Sequence, residues 1–549
     1  MVYIYKTLVS NQLLFILLLV SVLYFLLKLS SPNLTRSTTT LTPVILHDYN
    51  FGFERTCSDI SNTSSDLIQQ ICHIEQSKLT PLHSRTVLVR DTSRIRYYAQ
   101  RDLQGWQMFY ENIGYKVVEP RFSLTPPDPC LYDVLLCMGL VLQDQSCVSP
   151  QDYPRLAPGQ RVSQFYGMRQ VLWRKDSFCR TMKSVFARIP KRVSTDFLFD
   201  CWVLPNDLED LRGVMHGEPD GLWIAKPRSR GEGKGIMIVH NLAELYEYNL
   251  LGSVIQPYLD RVMLIEGRKF DLRTYVLVTS INPLRAYFYK EGLVRLASEL
   301  YNKTGNSKTQ FLTNTSVGKL VANINDIVWM YKDLIKYLRK MNFDGDLLFE
   351  RVEEVIVKTL LAGEVGFHKL YQDTFPGYMC ENCYQLLGVD VIIDEDLNPK
   401  VIEINGIPSM QLSHDLGVKP DPSKPYTATK FGLLRDTLNT LYQPNTRPHQ
   451  LERMIDKLGI GIVPSTCEEQ HQFCVTNREF AFLVDSQREF FSKGMYKRIY
   501  PTQNGDLYTD LLTHTHKTIM KTADDKNQLT TYKLHHLMTL IEIYNLQNH

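Results

Sequence analysis

The chain has little net charge: 61 Lys and Arg against 59 Asp and Glu leave +2 over 549 residues. No global field therefore draws it to nucleic acid, and none is expected as a partner. Internal repeats and long low-complexity tracts are also missing, which excludes a solenoid or a disordered array. The single basic, glycine-rich turn is neither a Walker A loop nor a dinucleotide fingerprint. "CENC" (380–383) has metal-like spacing, yet no second Cys/His pair stands near it. Disulfide-bonded or helix-packed cysteines are expected there rather than zinc.

What is present begins with an apolar run. Thr7 to Leu27 are 21 residues without a charge, bracketed by Lys6 and Lys28. That length can cross a bilayer, and no clear small-x-small cleavage site follows it. A retained single membrane anchor over 1–31 is the expectation, followed by a stalk or irregular region over 32–82 that is rich in Ser, Thr, Pro and Leu over residues 30–50. Eleven cysteines include Cys57, Cys72, Cys130, Cys137, Cys147, Cys467 and Cys474 in polar stretches. These suit disulfides in an oxidising lumen. Sequons at Asn33, Asn62, Asn302 and Asn314 point the same way.

Hydrophobic content of 44% and charged content of 22% are ordinary for a globular chain of several domains. Residues 84–142 read as a small α/β unit, with strands "TVLVR" and "DVLLC" and a helix in "RDLQGWQMFYENIG". "FLFDCWVLP" (197–205) reads as a strand, and "NDLEDLRGVM" as a helix capped by Asn206. The middle, 222–300, is strand-dense. Residues 319–372 read as mainly helical, including "IVWMYKDLIKYLRKM". A polar C-terminal region, 443–549, reads as helical, with the basic, aromatic cluster "SKGMYKRIYP" at 492–501.

Four segments carry chemistry. In "GVDVIIDEDLNPKVIEINGIPS" (388–409), a hairpin in which Ile393 faces Lys400 sets Asp390 opposite Glu403, and Asn405 shares their face. Ile392 and Val401 would floor that face. Like charges directly opposite repel, and a hard divalent cation with oxygen ligands resolves the repulsion. "KPRSRGEGKGIMIV" (226–239) joins two apolar strands by a basic turn whose glycines let backbone N–H groups approach phosphate. "RKFDLRTYVLV" (268–278) alternates Lys269, Asp271, Arg273 and Tyr275 against Phe270, Leu272 and Val276. "KEGLVRLASELY" (290–301) adds Arg295. Each alone also reads as a solvated sheet face or a flexible turn. Together they suit a cleft holding MgATP, with arginines placed for a phosphoryl group.

The series "QFYGMRQVLWRKDSFCRTM", "VLPNDLEDL", "WIAKPRSRGEGKGIMIV", "VIQPYL", "RKFDLRTYVLV", "YFYKEGLVRLASELY", "FLTNTSVGK", "YQLLGVDVII" and "VIEINGIPS" resembles the tubulin–tyrosine ligase-like family, an ATP-grasp fold. The likeness covers roughly 165–410 in family order. It implies an α/β (α+β) architecture. An N-terminal α/β domain at 83–195 would precede ATP-grasp catalytic domains at 196–440 and a helical extension at 441–549. It implies that Lys226 contacts ATP phosphates beneath a loop shaped by Arg230, Gly231, Gly233 and Gly235. Gln256, Tyr258 and Leu259 would lie at the hinge beside adenine, with Thr313 and Asn314 nearby. Lys269, Asp271 and Arg273 would line the ATP and substrate cleft, and Arg295 would face the reacting carboxyl. Asp390, Glu403 and Asn405 would hold Mg²⁺. Lys290, Glu232 and Lys234 depart from the usual residues, and none of these is an expected metal ligand.

The implied reaction is ATP-dependent ligation of an amino acid to a glutamate of an acidic protein tail. Glutamylation of the C-terminal tails of tubulin is the leading expectation. A tyrosine or glycine ligase, and a non-catalytic membrane-anchored binding protein, are the alternatives. A tubulin acceptor implies a cytosolic catalytic region, whereas the cysteines and sequons suit a lumen.

Overall fold

The computed structural model describes residues 86–91, 106–111, 116–118 and 133–138, most of 153–441, and shorter stretches between 451 and 541. The 7–27 run, Asn33, Asn62, Cys57, Cys72, Cys130, Cys147 and Cys467 lie outside the described residues. Among the described residues, no helix is long and apolar enough to cross a membrane.

Short β-rich apolar runs build the first sheet. Strands β1 (Thr86–Asp91), β2 (Lys116–Val118), β3 (Val134–Met138) and β4 (Arg161–Val162) pair in parallel, in the order β2-β1-β3-β4. Helix α1 (Lys175–Phe186) follows a short π-helical turn, Arg169–Trp173. It buries Phe178, Cys179, Met182 and Val185 at helical spacing.

The second sheet, also of four strands, is antiparallel and ordered β5-β8-β6-β7. Its strands are β5 (Trp202–Val203), β6 (Trp223–Pro227), β7 (Met237–Val239) and β8 (Ser253–Pro257). Helices α2 (Leu208–Gly217) and α3 (Leu242–Glu247) pack on it, around Trp202, Leu211, Trp223, Leu245 and Ile255. Only Trp202 and Val203 of the expected 197–205 strand pair with a neighbour. The N-cap of α2 is Asp207 rather than Asn206, and its carboxylate accepts from the Val203 N–H at 2.8 Å.

The third sheet centres on β10 (Arg268–Ile281), the strand expected over 269–280. The others are β9 (Leu264–Ile265), β11 (Leu284–Tyr289), β12 (Leu293–Leu296), β13 (Val328–Met330), β14 (Gln385–Ile393), β15 (Pro399–Asn405) and, from the C-terminal region, β18 (Tyr496–Tyr500). All pairings within it are antiparallel. Phe270, Leu272, Val276 and Val278 turn one face of β10 into a core with Val389, Val391 and Ile404. Helix α5 (Gly345–Thr374) covers it, preceded by α4 (Tyr331–Lys340). Gly363 lets α5 approach the π-helical turn, since a Cβ there would sit 2.7 Å from Leu172. The opposite face carries Tyr275, Leu277, Tyr287 and Tyr289 into a second core with Leu433, Leu434 and Tyr496. Leu433 and Leu434 belong to α6 (Pro425–Leu441).

Two readings change. Within "IVWMYKDLIKYLRKM", Val328–Met330 is a strand paired to β12, and the helix starts only at Tyr331, where the Asp333 carboxylate accepts from the Met330 N–H at 3.1 Å. The C-terminal region is not wholly helical. Besides α7 (Asn477–Ser492) it holds β16 (Gly461–Val463), β17 (Cys474–Thr476) and β18. "SKGMYKRIYP" is thus no solvated helix end: Tyr496, Arg498, Ile499 and Tyr500 are buried beside β11. Buried Arg498 donates to the Tyr287 hydroxyl at 2.9 Å, and Glu489 of α7 accepts from that hydroxyl at 2.9 Å.

Candidate functional site

A cleft opens between the second and third sheets. Lys226, Gln256, Tyr258, Leu259, Lys269, Asp271, Arg295, Thr313, Asn314, Asp390 and Glu403 line it, so eleven residues singled out in the sequence share one cavity. Ile224, Ile236, Phe311 and Ile392 give it apolar walls, which suit a flat heterocycle beside charged groups.

The third sheet supplies the charges by register. Asp271 pairs with Arg295 and Arg273 with Asp390, so opposite charges face each other from β12 through β10 to β14, while across the next pair of strands the two carboxylates Asp390 and Glu403 stand opposite each other. Arg295 donates to both Asp271 oxygens, at 2.6 and 2.8 Å, and to Asp390 at 2.8 Å. Arg273 holds Asp390 at 2.6 and 3.1 Å. The Thr313 hydroxyl donates to Asp271. Burial alone would raise the Asp390 pKa, but Arg273 and Arg295 outweigh it and hold the group at about 2. Asp390 is therefore a carboxylate at any physiological pH.

The expected register holds at Asp390 and fails one step nearer the turn. Ile393 faces Pro399 and Ile392 faces Lys400, with a shift between Asp390 and Val391. The extra residue is Ile402, which turns to the cleft, while Val401 is buried in the core. The hydrophobic floor is thus Ile392 and Ile402, a re-aiming typical of a β-bulge.

The second sheet brings Lys226, whose Nζ donates to Gln256 Oε1 at 2.6 Å. Lys269 Nζ donates to the Tyr258 hydroxyl at 2.7 Å. Gly233 and Gly235 of the connecting turn have φ of 72° and 73°, a region that L side chains rarely adopt. Gly231 has nothing within 4 Å of where a Cβ would be. Arg230 contributes its backbone carbonyl.

Asn405 stands apart from the cleft lining. Its amide donates toward the Gly388 carbonyl at 3.3 Å and Glu403 Oε1 at 3.4 Å. Tyr275 belongs to the second core, not to the cleft. The sequence reading assigned no role to Lys175, whose Nζ lies 2.8 Å from Glu403 Oε2. A signal was available: Lys175 opens helix α1, where the helix dipole disfavours a cation.

Among the described residues no group of three His, Cys, Asp or Glu converges on a cation position. Asp390 and Glu403 nevertheless fit a hard cation. Both donate only oxygen, both are held below the usual carboxylate range, and they stand directly opposite across the hairpin. For Glu403, burial pushes upward and Lys175 outweighs it. "CENC" holds no metal-like cluster, because Cys380 and Cys383 form a disulfide. Cys179 and Cys201 form another, and Cys137 and Cys474 are also disulfide-bonded.

Two antiparallel sheets thus enclose a lysine- and arginine-lined cleft over a carboxylate pair. The family model for tubulin-tyrosine ligases matches residues 156–448, and the chain belongs to the tubulin-tyrosine ligase family. Among its relatives, human tubulin monoglutamylase TTLL4 is 32% identical over 360 residues, 62% of this chain and 28% of that protein. Human tubulin polyglutamylase TTLL6 is 31% identical over 365 residues, 64% of this chain and 39% of its own. Mouse tubulin polyglutamylase TTLL13 is 29% identical over 389 residues, 67% and 46%. The chain thus spans less than half the length of each of these relatives.

The cleft lysines make pH a probe. Burial brings Lys269 from 10.5 down to about 7, and Lys226 to about 8. In the folded chain they bind fewer protons than when unfolded between about pH 7 and 10, so ligand-free stability gains from these groups as pH rises through that window. A bound triphosphate favours the charged forms, so ligand affinity moves the opposite way. If the cleft takes a triphosphate such as ATP, its binding should weaken from pH 7 to 9 and take up protons at pH 8. Calorimetry in buffers of differing ionisation heat measures the uptake, and Lys269→Met should reduce it. Binding with no proton uptake in the unaltered chain would contradict these charge states.

Proposed function

We propose that the protein is an ATP-dependent carboxylate–amine ligase of ATP-grasp type that adds glutamate to glutamate side chains on tubulin C-terminal tails. The observation that carries this reading is the cleft in which Lys226, Lys269 and Arg295 surround the ionised pair Asp390 and Glu403. The glutamylase names of the relatives support the choice of tubulin and glutamate.

In this reading ATP lies between the sheets. Its base meets the apolar walls near Tyr258 and Leu259, and its phosphates meet Lys226 and the 230–235 turn. Asp390 and Glu403, with Asn405 behind Glu403, would hold Mg²⁺, which would neutralise phosphate charge. A glutamate carboxylate of the tail attacks the γ-phosphorus and ADP leaves. The resulting acyl phosphate is attacked at its carbonyl carbon by the amine of free glutamate. Phosphate leaves, the amine loses a proton, and an amide remains. Arg295, fixed by Asp271 and Asp390, offers the positive edge along which the acyl phosphate forms, while Arg273, expected in the cleft but absent from its lining, holds Asp390 from behind. No side chain of the protein acts as a nucleophile.

The test supplies purified chain, MgATP and labelled glutamate, tyrosine or glycine to tubulin, with or without its tails. ATP-dependent glutamate incorporation confined to tailed tubulin is expected. Transfer of tyrosine or glycine would replace the substrate assignment, and no ATP-dependent transfer would remove the enzyme reading.

The disulfides Cys179–Cys201 and Cys380–Cys383 favour a second reading: the same chemistry in an oxidising lumen on another acidic acceptor. Our primary reading has 7–27 as a membrane anchor and the catalytic region on the cytosolic side. A glycan at Asn33 or Asn62, found by deglycosylation together with protease protection, would select the lumen. Asn314 lines the cleft and cannot carry a glycan in a working site.

A further inference from the structure

One cation in the site belongs to neither the arginine network nor the buried lysine pair. Lys175 Nζ makes two contacts, to Glu403 Oε2 at 2.8 Å and to the Arg230 carbonyl at 3.2 Å. These bind the start of α1 to β15 and to the glycine-rich turn. Both side chains keep partial access to solvent, 16% for Lys175 and 20% for Glu403. The second Glu403 oxygen accepts from Asn405. Both oxygens of the carboxylate are therefore committed before any ligand arrives. Two forces pull against Lys175 in this place: the positive end of its own helix and the neighbouring charge of Lys226. Its hold depends on Glu403.

We propose that Lys175 is a positioning residue that takes the place of a divalent cation on Glu403 in the ligand-free chain. In doing so it latches the 226–235 turn to β15 through the Arg230 carbonyl. A cation arriving with nucleotide takes Glu403, and Lys175 lets go of Glu403 and of the Arg230 carbonyl. The proposal rests on the nucleotide-site reading. A partly exposed ion pair sets its scale: displacement changes cation affinity by about twofold to fivefold.

The experiment compares the full chain with Lys175→Met and with the charge-keeping Lys175→Arg. Free Mn²⁺, followed by its paramagnetic resonance without nucleotide, reports the competition. Trypsin cleavage at Arg228, Arg230 and Lys234 reports the latch. Lys175→Met is expected to bind Mn²⁺ about twofold to fivefold more tightly and to be cut faster in the turn. Lys175→Arg should match the unaltered chain, and adding Glu403→Gln to Lys175→Met should cancel the Mn²⁺ gain. Unchanged Mn²⁺ affinity and cleavage in Lys175→Met would overturn the proposal, leaving Lys175 an ordinary surface charge. If the unaltered chain bound neither Mn²⁺ nor ATP, the nucleotide reading and the cation exchange would both fall, while the cleavage comparison would still decide the latch.

Discussion

A chain carrying Arg295→Met is expected to lose ligase activity and about 3–5 kcal/mol of stability together. Arg295 is 5% exposed and, among the described residues, is the cation hydrogen-bonded to Asp271, through two bonds of 2.6 and 2.8 Å. Methionine fills similar volume but leaves the Asp271 carboxylate, itself 4% exposed, with the Thr313 hydroxyl as its hydrogen-bond donor among the described residues and the buried, easily deprotonated Lys269 as its neighbouring charge. Removing one partner of a buried pair leaves a charge with no compensation, and that sets the size of the effect. Asp390 suffers less, because Arg273 still grips both its oxygens. Arg273→Met is therefore expected to cost less than Arg295→Met, measured by denaturant unfolding. A double variant, Asp271→Asn with Arg295→Met, removes the stranded charge. It should recover most of the stability while staying inactive, which separates the arginine's structural part from its place at the reacting carboxyl. Full stability in the single variant would show that Asp271 is solvated, not buried against Arg295.

How far the sequence could show this site depends on how local each interaction is. The alternation Lys269, Asp271, Arg273 is visible because a strand's period of two places these residues on one face whatever else the chain does. Asp390 opposite Glu403 follows from the hairpin, since only five residues separate the strands and the pairing has few options. The bulge at Ile402 does not follow. It depends on a turn in which Asp394 accepts from the Asn398 N–H at 2.8 Å, pulling Pro399 level with Ile393. Strand β18 was hidden for another reason. Tyr496, Arg498 and Tyr500 lie two apart, yet the partner that makes this a strand, β11, lies some two hundred residues earlier. Buried Arg498 also reads as surface charge until Tyr287 and the Ser486 carbonyl are known to receive it. Val328–Met330 was lost in a helical pattern because strand and helix meet there without a glycine or proline between them. Lys175 shows in the sequence only as a cation at a helix start, since nothing near it tells of Glu403, 228 positions away.

Glu403→Gln should be the converse of Arg295→Met: little change in stability and at least about a hundredfold loss in ligation. Glu403 sits at the cleft rim, its one ion pair with Lys175 is partly solvated, and such pairs contribute at most about 1 kcal/mol. Glutamine keeps the shape and can still accept from the Asn405 amide, so the hairpin has no reason to move. What disappears is the negative charge opposite Asp390. Asp390 alone then offers a divalent cation one carboxylate where the hairpin supplies two. The comparison also separates a ligase from a family member that only binds. If the cleft served binding alone, Glu403→Gln would leave association with acidic tails and every other readout unchanged. If it serves ligation, tail binding persists and ATP-dependent incorporation stops. Incorporation at the unaltered rate in Glu403→Gln would mean that the carboxylate pair has no part in the chemistry, and the reason for this hairpin's charge would have to be sought in Lys175 alone.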